Sequence, residues 1–280
     1  NLLNIRITKN TLQLIPANLA CLEDALAEGD EFRILHRPAE WENPAMEFAQ
    51  GETGTQSRSD GAGALRGLAW TPVRQAKFLA RHLLAHMFEG VKFNSYFSCM
   101  DMIEALNGTV GDKASYLDYG YFGVLGAEFD ADGVATGEYK PKPSYRTLQV
   151  LAAIFREEFS IRELPIRVGP IDSPLLARRE DPGRSLFCCG FAKPNGSAAF
   201  VYWMPAEILT TTYEATITIE CCSLPGVAKL IDLLEGTIYS IPESMVENDG
   251  KGYRRFLHLP LRDYPLLLTF GDFESFQTIV

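Results

Sequence analysis

The pattern of apolar residues changes character once, near Ser160, and that change limits the architecture more than any other feature. Before it, several stretches repeat apolar residues at the 3.6-residue spacing of amphipathic helices. After it, helical periodicity nearly disappears, and short β-rich runs punctuated by Pro, Gly and Asn take over. The 280 residues are therefore expected to form two parts: an α/β part over 1–160 and an all-β part over 161–280, with the boundary at about 158–165. No internal repeat or low-complexity tract runs across it.

Within the first part, Leu2 to Ile7 reads as a short strand, and Asn18 as the cap of a helix from about Leu19 to Glu28. Pro38 and Pro44 leave Glu31 to Pro44 as a loop that carries His36 and Trp41. An apolar run then ends at Glu52, held between Gly51 and Gly54. Thr71-Pro72 opens a helix whose apolar stripe is Val73, Ala76, Phe78, Leu79, Leu83, Leu84 and Met87, and Gly90 closes it. Lys92 to Phe97 is the next strand, Ser98 to Pro143 reads as a long loop, and a helix is predicted from Pro143 to Phe159. Its expected buried side is Tyr145, Leu148, Leu151, Ala152 and Phe155. Strand, helix, strand, helix in succession is the order of a parallel α/β fold. Beyond the boundary, six runs predict a small antiparallel β-sandwich: Ser185–Ala192, Ser197–Trp203, Ala215–Cys222, Ala228–Leu234, Arg255–Leu261 and Leu266–Phe270.

A net charge of −10 lacks the basic footprint that nucleic acid requires. No apolar run approaches the roughly 20 residues of a membrane-spanning helix, so no membrane partner is expected. The six cysteines include the adjacent pairs Cys188-Cys189 and Cys221-Cys222, without the spacing of a zinc site. Adjacent residues of a strand face opposite ways, which makes them packing thiols. Free thiols and the lack of a signal-like N-terminal segment point to the cytoplasm.

Four stretches together resemble a family. Gly51-Glu52-Thr53-Gly54-Thr55-Gln56-Ser57 is similar to the end of barrel strand seven of clan A glycoside hydrolases, in their β-xylosidase-like branch. The run from Gly90 to Asp101 resembles strand eight and its loop, and Lys140 to Gln149 the entry to the last barrel helix. Leu261 to Leu268 resembles the closing strand of the accessory sandwich. The resemblance implies the C-terminal part of a (β/α)8 TIM barrel, about strands six to eight, followed by the β-sandwich. It implies retaining hydrolysis of a glycosidic bond, a carbohydrate substrate, no cofactor, and Glu52 as the nucleophile. The family's acid/base glutamate follows an asparagine, and the sequence holds no Asn-Glu pair. Three strands do not close a barrel. A missing N-terminal half, or a partner subunit supplying it, is therefore expected.

Retaining hydrolysis needs two carboxyl groups about 5–5.5 Å apart, one ionised to attack and one protonated to release the leaving group. Glu52 suits the first role, at a strand end with glycines on both sides; a loop glutamate in an ion pair is the structural counterpart. Gln56, Ser57 and Arg58 follow it and either line a pocket or form surface loop. Asn94 and Tyr96 alternate along their strand, so both face the barrel interior or both face the helices. Tyr96 and Phe97 suit stacking on a sugar or core packing. Asp101 is placed to bond sugar hydroxyls or to cap the following segment, and His36 and Trp41 lie in a loop at the same presumed rim. His82 and His86 have the i, i+4 spacing of a helical metal pair, but Leu83 stands where H-E-x-x-H has its glutamate, so no metal is expected. The second functional class is a non-catalytic carbohydrate-binding or assembly subunit in which Glu52 only touches ligand.

Overall fold

A computed structural model describes residues 4–8, 11–15, 48–58, 70–102, 121–130, 134–172, 186–205, 208 and 210–273, and only the backbone of 4–8, 11–15, 48 and 52. The helix expected at Leu19–Glu28, His36 and Trp41 lie outside those residues. The chain divides into two compact units, Glu47–Val150 and Asn1–Met46 with Leu151–Val280.

In the first unit, β3 (Phe48–Thr53) and β4 (Val91–Tyr96) are paired in parallel, and α1 (Pro72–Phe88) connects them. A parallel pair requires such a crossover. The helix starts where the sequence says it should. Thr71 accepts a hydrogen bond from the Arg74 N–H at 3.2 Å, Pro72 occupies the first turn, and Gly90 turns the chain away at φ +76°. Its burial is broader than one stripe: Gln75, Lys77, Arg81, His82 and His86 are buried beside Phe78, Leu79 and Leu84, while Val73 is 43% exposed.

The long loop expected between Ser98 and Pro143 instead contains a hairpin. β5 (Leu125–Phe129) and β6 (Ala135–Pro141) pair antiparallel, from Leu125 opposite Pro141 to Phe129 opposite Ala135. Asp130 closes the hairpin, its carboxylate accepting from the Val134 N–H at 2.9 Å. Glycines and charged residues within both strands hide the period-2 alternation that reveals a strand. α2 (Pro143–Ile154) follows, shorter than expected and rolled relative to the expected face. Its buried residues are Ser144, Thr147, Val150, Leu151 and Ile154, whereas Ala152 is exposed. Two buried hydroxyl residues do not register as a core face in an apolar pattern.

The second unit is antiparallel. A six-stranded sheet takes the order β13-β12-β16-β10-β9-β7: Ile238–Ser240, Ala228–Asp232, Leu266–Phe270, Ala198–Trp203, Phe187–Ala192 and Ser160–Ile161. A four-stranded sheet takes the order β14-β15-β11-β8: Val246–Asn248, Tyr253–Leu261, Ala215–Cys222 and Ile166–Asp172. Phe200, Tyr202, Leu230, Leu268 and Phe270 of the first sheet and Ile217, Ile219, Phe256 and Leu259 of the second form one core, the arrangement of a sandwich. β11 alternates strictly, so Cys221 is buried and Cys222 exposed, and Cys189 and Cys188 divide the same way. Phe155 and Phe159 pack edge-on against Phe191 at 5.1 and 5.7 Å.

The observed architecture is thus α/β plus antiparallel β. Among the described residues no barrel closes; β3 and β4 are the only strands paired in parallel, and Met100 and Leu125 add an isolated parallel bridge. β1 (Asn4–Thr8), the short strand expected at Leu2–Ile7, pairs antiparallel with β2 (Thr11–Ile15) rather than in parallel as a barrel strand would. A hairpin partner a few residues away is reached at far lower chain-closure cost than a distant parallel one.

Candidate active site at the strand ends

Ladder registers place Glu52 within an irregularity. Gln50 lies opposite Asn94 and Thr53 opposite Tyr96, so β3 has one residue more than β4 between these pairs. The extra residue falls at Gly51–Glu52, a bulge of the kind that re-aims side chains beside functional sites. The Glu52 side chain itself lies outside the described part of the structure.

Beyond the strand ends three segments interlock: 53–58 after β3, 97–101 after β4, and 121–125 leading into β5. The Phe97 N–H donates to the Thr53 carbonyl, the Ser98 N–H to Phe122 at 3.2 Å, the Ser57 N–H to Tyr121 at 2.9 Å and the Asp101 N–H to Leu125 at 2.8 Å. Backbones come too close for side chains. A Cβ on Gly54 would stand 1.8 Å from the Phe97 carbonyl oxygen, and one on Gly123 2.1 Å from the Asp101 nitrogen.

Two side-chain clusters tie the same segments together. Gln75, fully buried on α1, donates through Nε2 to the carbonyls of Thr55 (2.9 Å), Phe122 (3.1 Å) and Gly123 (3.3 Å), while its Oε1 accepts from Ser144 Oγ at 2.8 Å. Asp101 and Lys142 form the second. Lys142 Nζ donates to Asp101 Oδ1 at 2.5 Å and to Ser57 Oγ at 2.8 Å. Asp101 also accepts from the Gly123 and Ala127 N–H groups at 2.9 and 3.3 Å. Burial pushes the Asp101 carboxyl above the usual range and the Lys142 amine below its own, and their mutual contact pulls each back toward its charged form. Next to this pair, the Arg58 guanidinium lies 4.4 Å from the centre of the Tyr121 ring and 3.6 Å from Glu128 Oε2.

The expected site residues divide accordingly. Gln56 is buried in the interlocked segment after β3, and Phe97 stands edge-on to Phe122 at 5.7 Å in the one after β4. Asp101 belongs there too, with its carboxylate oxygens engaged as described. Asn94 points to α1, where its Oδ1 accepts from His86 Nδ1 at 2.5 Å, so it faces the helix. The Tyr96 hydroxyl is buried beside Thr55, and burial raises its pKa. His82 lies 4.0 Å from His86 between ring centres, with the rings tilted by 54°, and burial lowers the pKa of both. Among the described residues no three His, Cys, Asp or Glu side chains gather as metal ligands.

Sequence reasoning missed Gln75 and Lys142. A signal for the lysine existed: it directly precedes Pro143 at a helix N-terminus, where a positive charge opposes the helix dipole and needs an acidic partner.

No protein-family model and no curated protein matches the chain. Among solved structures it is similar to an endo-beta1,6-glucanase, with a TM-score of 0.35 and 12% identity over 82% of this chain. The match spans 37% of that structure's length. So slight a likeness says nothing about chemistry.

Proposed function

We propose that the chain carries the nucleophile of a retaining glycoside hydrolase, with Glu52 attacking the anomeric carbon. The observation that carries the reading is the register shift at Gly51–Glu52, at the C-terminal end of a parallel strand. Side chains delivered from such strand ends form the sites of parallel α/β enzymes. The glycines beside Glu52 and the sequence resemblance support the same assignment. Phe97, half-buried at the same end, carries an aromatic ring of the kind that matches the C–H face of a sugar.

β3 and β4 would be two strands of the barrel, and a further polypeptide segment would supply both the remaining strands and the acid/base carboxyl. On β4, Phe93 alternates with the helix-facing Asn94 and is 60% exposed; on β3, Ala49 is exposed as well. This is the face that additional strands would cover. The test is hydrolysis of aryl glycosides by the protein together with that segment. Glu52→Ala is expected to lower kcat at least about 10³-fold, with partial rescue by azide as an external nucleophile. Activity that survives the substitution would overturn the assignment, and binding of sugar without hydrolysis would favour a binding subunit.

A further inference from the structure

Thr53, Thr55 and Ser57, alternate residues after Glu52, are each fastened from outside their own segment. The Thr53 carbonyl accepts from Phe97 N–H, the Thr55 carbonyl from Gln75 Nε2 at 2.9 Å, and Ser57 Oγ from Lys142 Nζ at 2.8 Å. The two side-chain fasteners come from α1 and from the residue before α2, and each also grips the 121–123 segment. Gln75 holds the Phe122 and Gly123 carbonyls, and Lys142 holds the Tyr121 carbonyl at 3.4 Å. Both are themselves oriented: Gln75 by Ser144 Oγ, Lys142 by Asp101.

Burial makes these choices costly unless they serve the position of the backbone they hold. Gln75 is 0% exposed, and the Asp101 and Lys142 side chains are 2% and 10% exposed. A buried ion pair seldom adds net stability over apolar residues of the same volume, but it fixes geometry through directed bonds. The clamps grip immediately downstream of a bulge, where ladder hydrogen bonding is interrupted and the backbone would otherwise be least constrained.

We infer that Gln75 and the Asp101–Lys142 pair are positioning residues that set the Glu52 backbone through Thr55 and Ser57. The inference rests on the proposed role of Glu52. Catalysis tolerates little displacement of a nucleophile, and about 1 Å of error is worth roughly 10²-fold in rate.

The test joins amide hydrogen exchange on the full chain with kinetics on an aryl glycoside in an active preparation. Gln75→Leu and Lys142→Met are the variants, with D101N/K142M as the form that leaves no unpaired buried charge should the single change fail to fold. Exchange in Thr53–Ser57 is expected to rise at least tenfold while α1 stays protected. In the same variants kcat is expected to fall about 10²-fold with KM within about twofold of wild type. Unchanged exchange, or faster exchange with unchanged kcat, overturns the inference while leaving the role of Glu52 standing. A wild-type preparation that hydrolyses no glycoside overturns the functional reading itself, whatever exchange shows.

Discussion

At the scale of single residues, the Asp101–Lys142 pair shows how burial sets the sign of a substitution. Each charge has been taken out of water and is satisfied only by the other and by a few dipoles. Asp101→Asn is expected to destabilise the unit by about 3–5 kcal/mol, because it strands a buried ammonium. Adding Lys142→Met should recover part of that loss, a coupling that a double-mutant cycle by urea unfolding measures. His258 presents the opposite case. It lies exposed on β15 at φ +53°, beside the point where β15 carries an extra residue against β11. A non-glycine residue in that conformation is strained, so His258→Gly should hold or raise stability, by up to about 1 kcal/mol. A lowered urea midpoint would contradict this. None of these features was visible in the residue pattern. The pairing of Asp101 with Lys142 spans 41 positions, and the conformation of His258 follows from a bulge that only the partner strand reveals.

Helices and strands were legible in proportion to how local their determinants are. The start and stop of α1 were readable because a cap, an N-terminal proline and a terminal glycine act within one turn. The strands of the sandwich were readable because one face is wet and the other dry, as in β11. β5 and β6 were not, because polar and glycine residues break their alternation, and the face of α2 was misjudged because Ser144 and Thr147 are buried by hydrogen bonding rather than apolarity. α1 hides a second feature that no stripe announces: His82 and His86 are buried neutral. Their folded pKa values lie below the unfolded 6.5, so the unfolded chain binds protons that the fold refuses. The stability they allow is present above pH 6.5 and is lost as pH falls through the folded values. Each contributes a slope of up to about 1.4 kcal/mol per pH unit in that window. Unfolding followed by urea from pH 7 to pH 5 should show stability falling with pH, and His82→Phe should flatten the dependence. A flat wild-type profile would mean that the fold leaves the pKa values of the pair at their unfolded value.

Across the whole molecule, the two units differ in how completely their sheets are covered. In the sandwich unit the central strands β10 and β16 are buried along their full length, on both faces. In the other unit β3 and β4 make a two-stranded parallel sheet, with Asn94 against α1 and Phe93 60% exposed on the alternate side. Parallel sheets are ordinarily covered on both faces, so a bare aromatic there is out of keeping with its fold. This asymmetry separates stability from assembly. Because Phe93 is exposed, Phe93→Ser should shift the stability of the chain alone by no more than about 0.5 kcal/mol. If the proposed barrel forms around β3 and β4, the same substitution would remove a large apolar side chain from its filled interior, at a cost of about 3–5 kcal/mol. The expected outcome is an unchanged urea midpoint for the isolated chain and a loss of association, together with hydrolysis, when the completing segment is added. A variant that unfolds by itself would show that Phe93 is already packed. One that assembles and hydrolyses as well as the wild type would show that this face of β4 is not the barrel interior, and Glu52 would then need another route to its substrate.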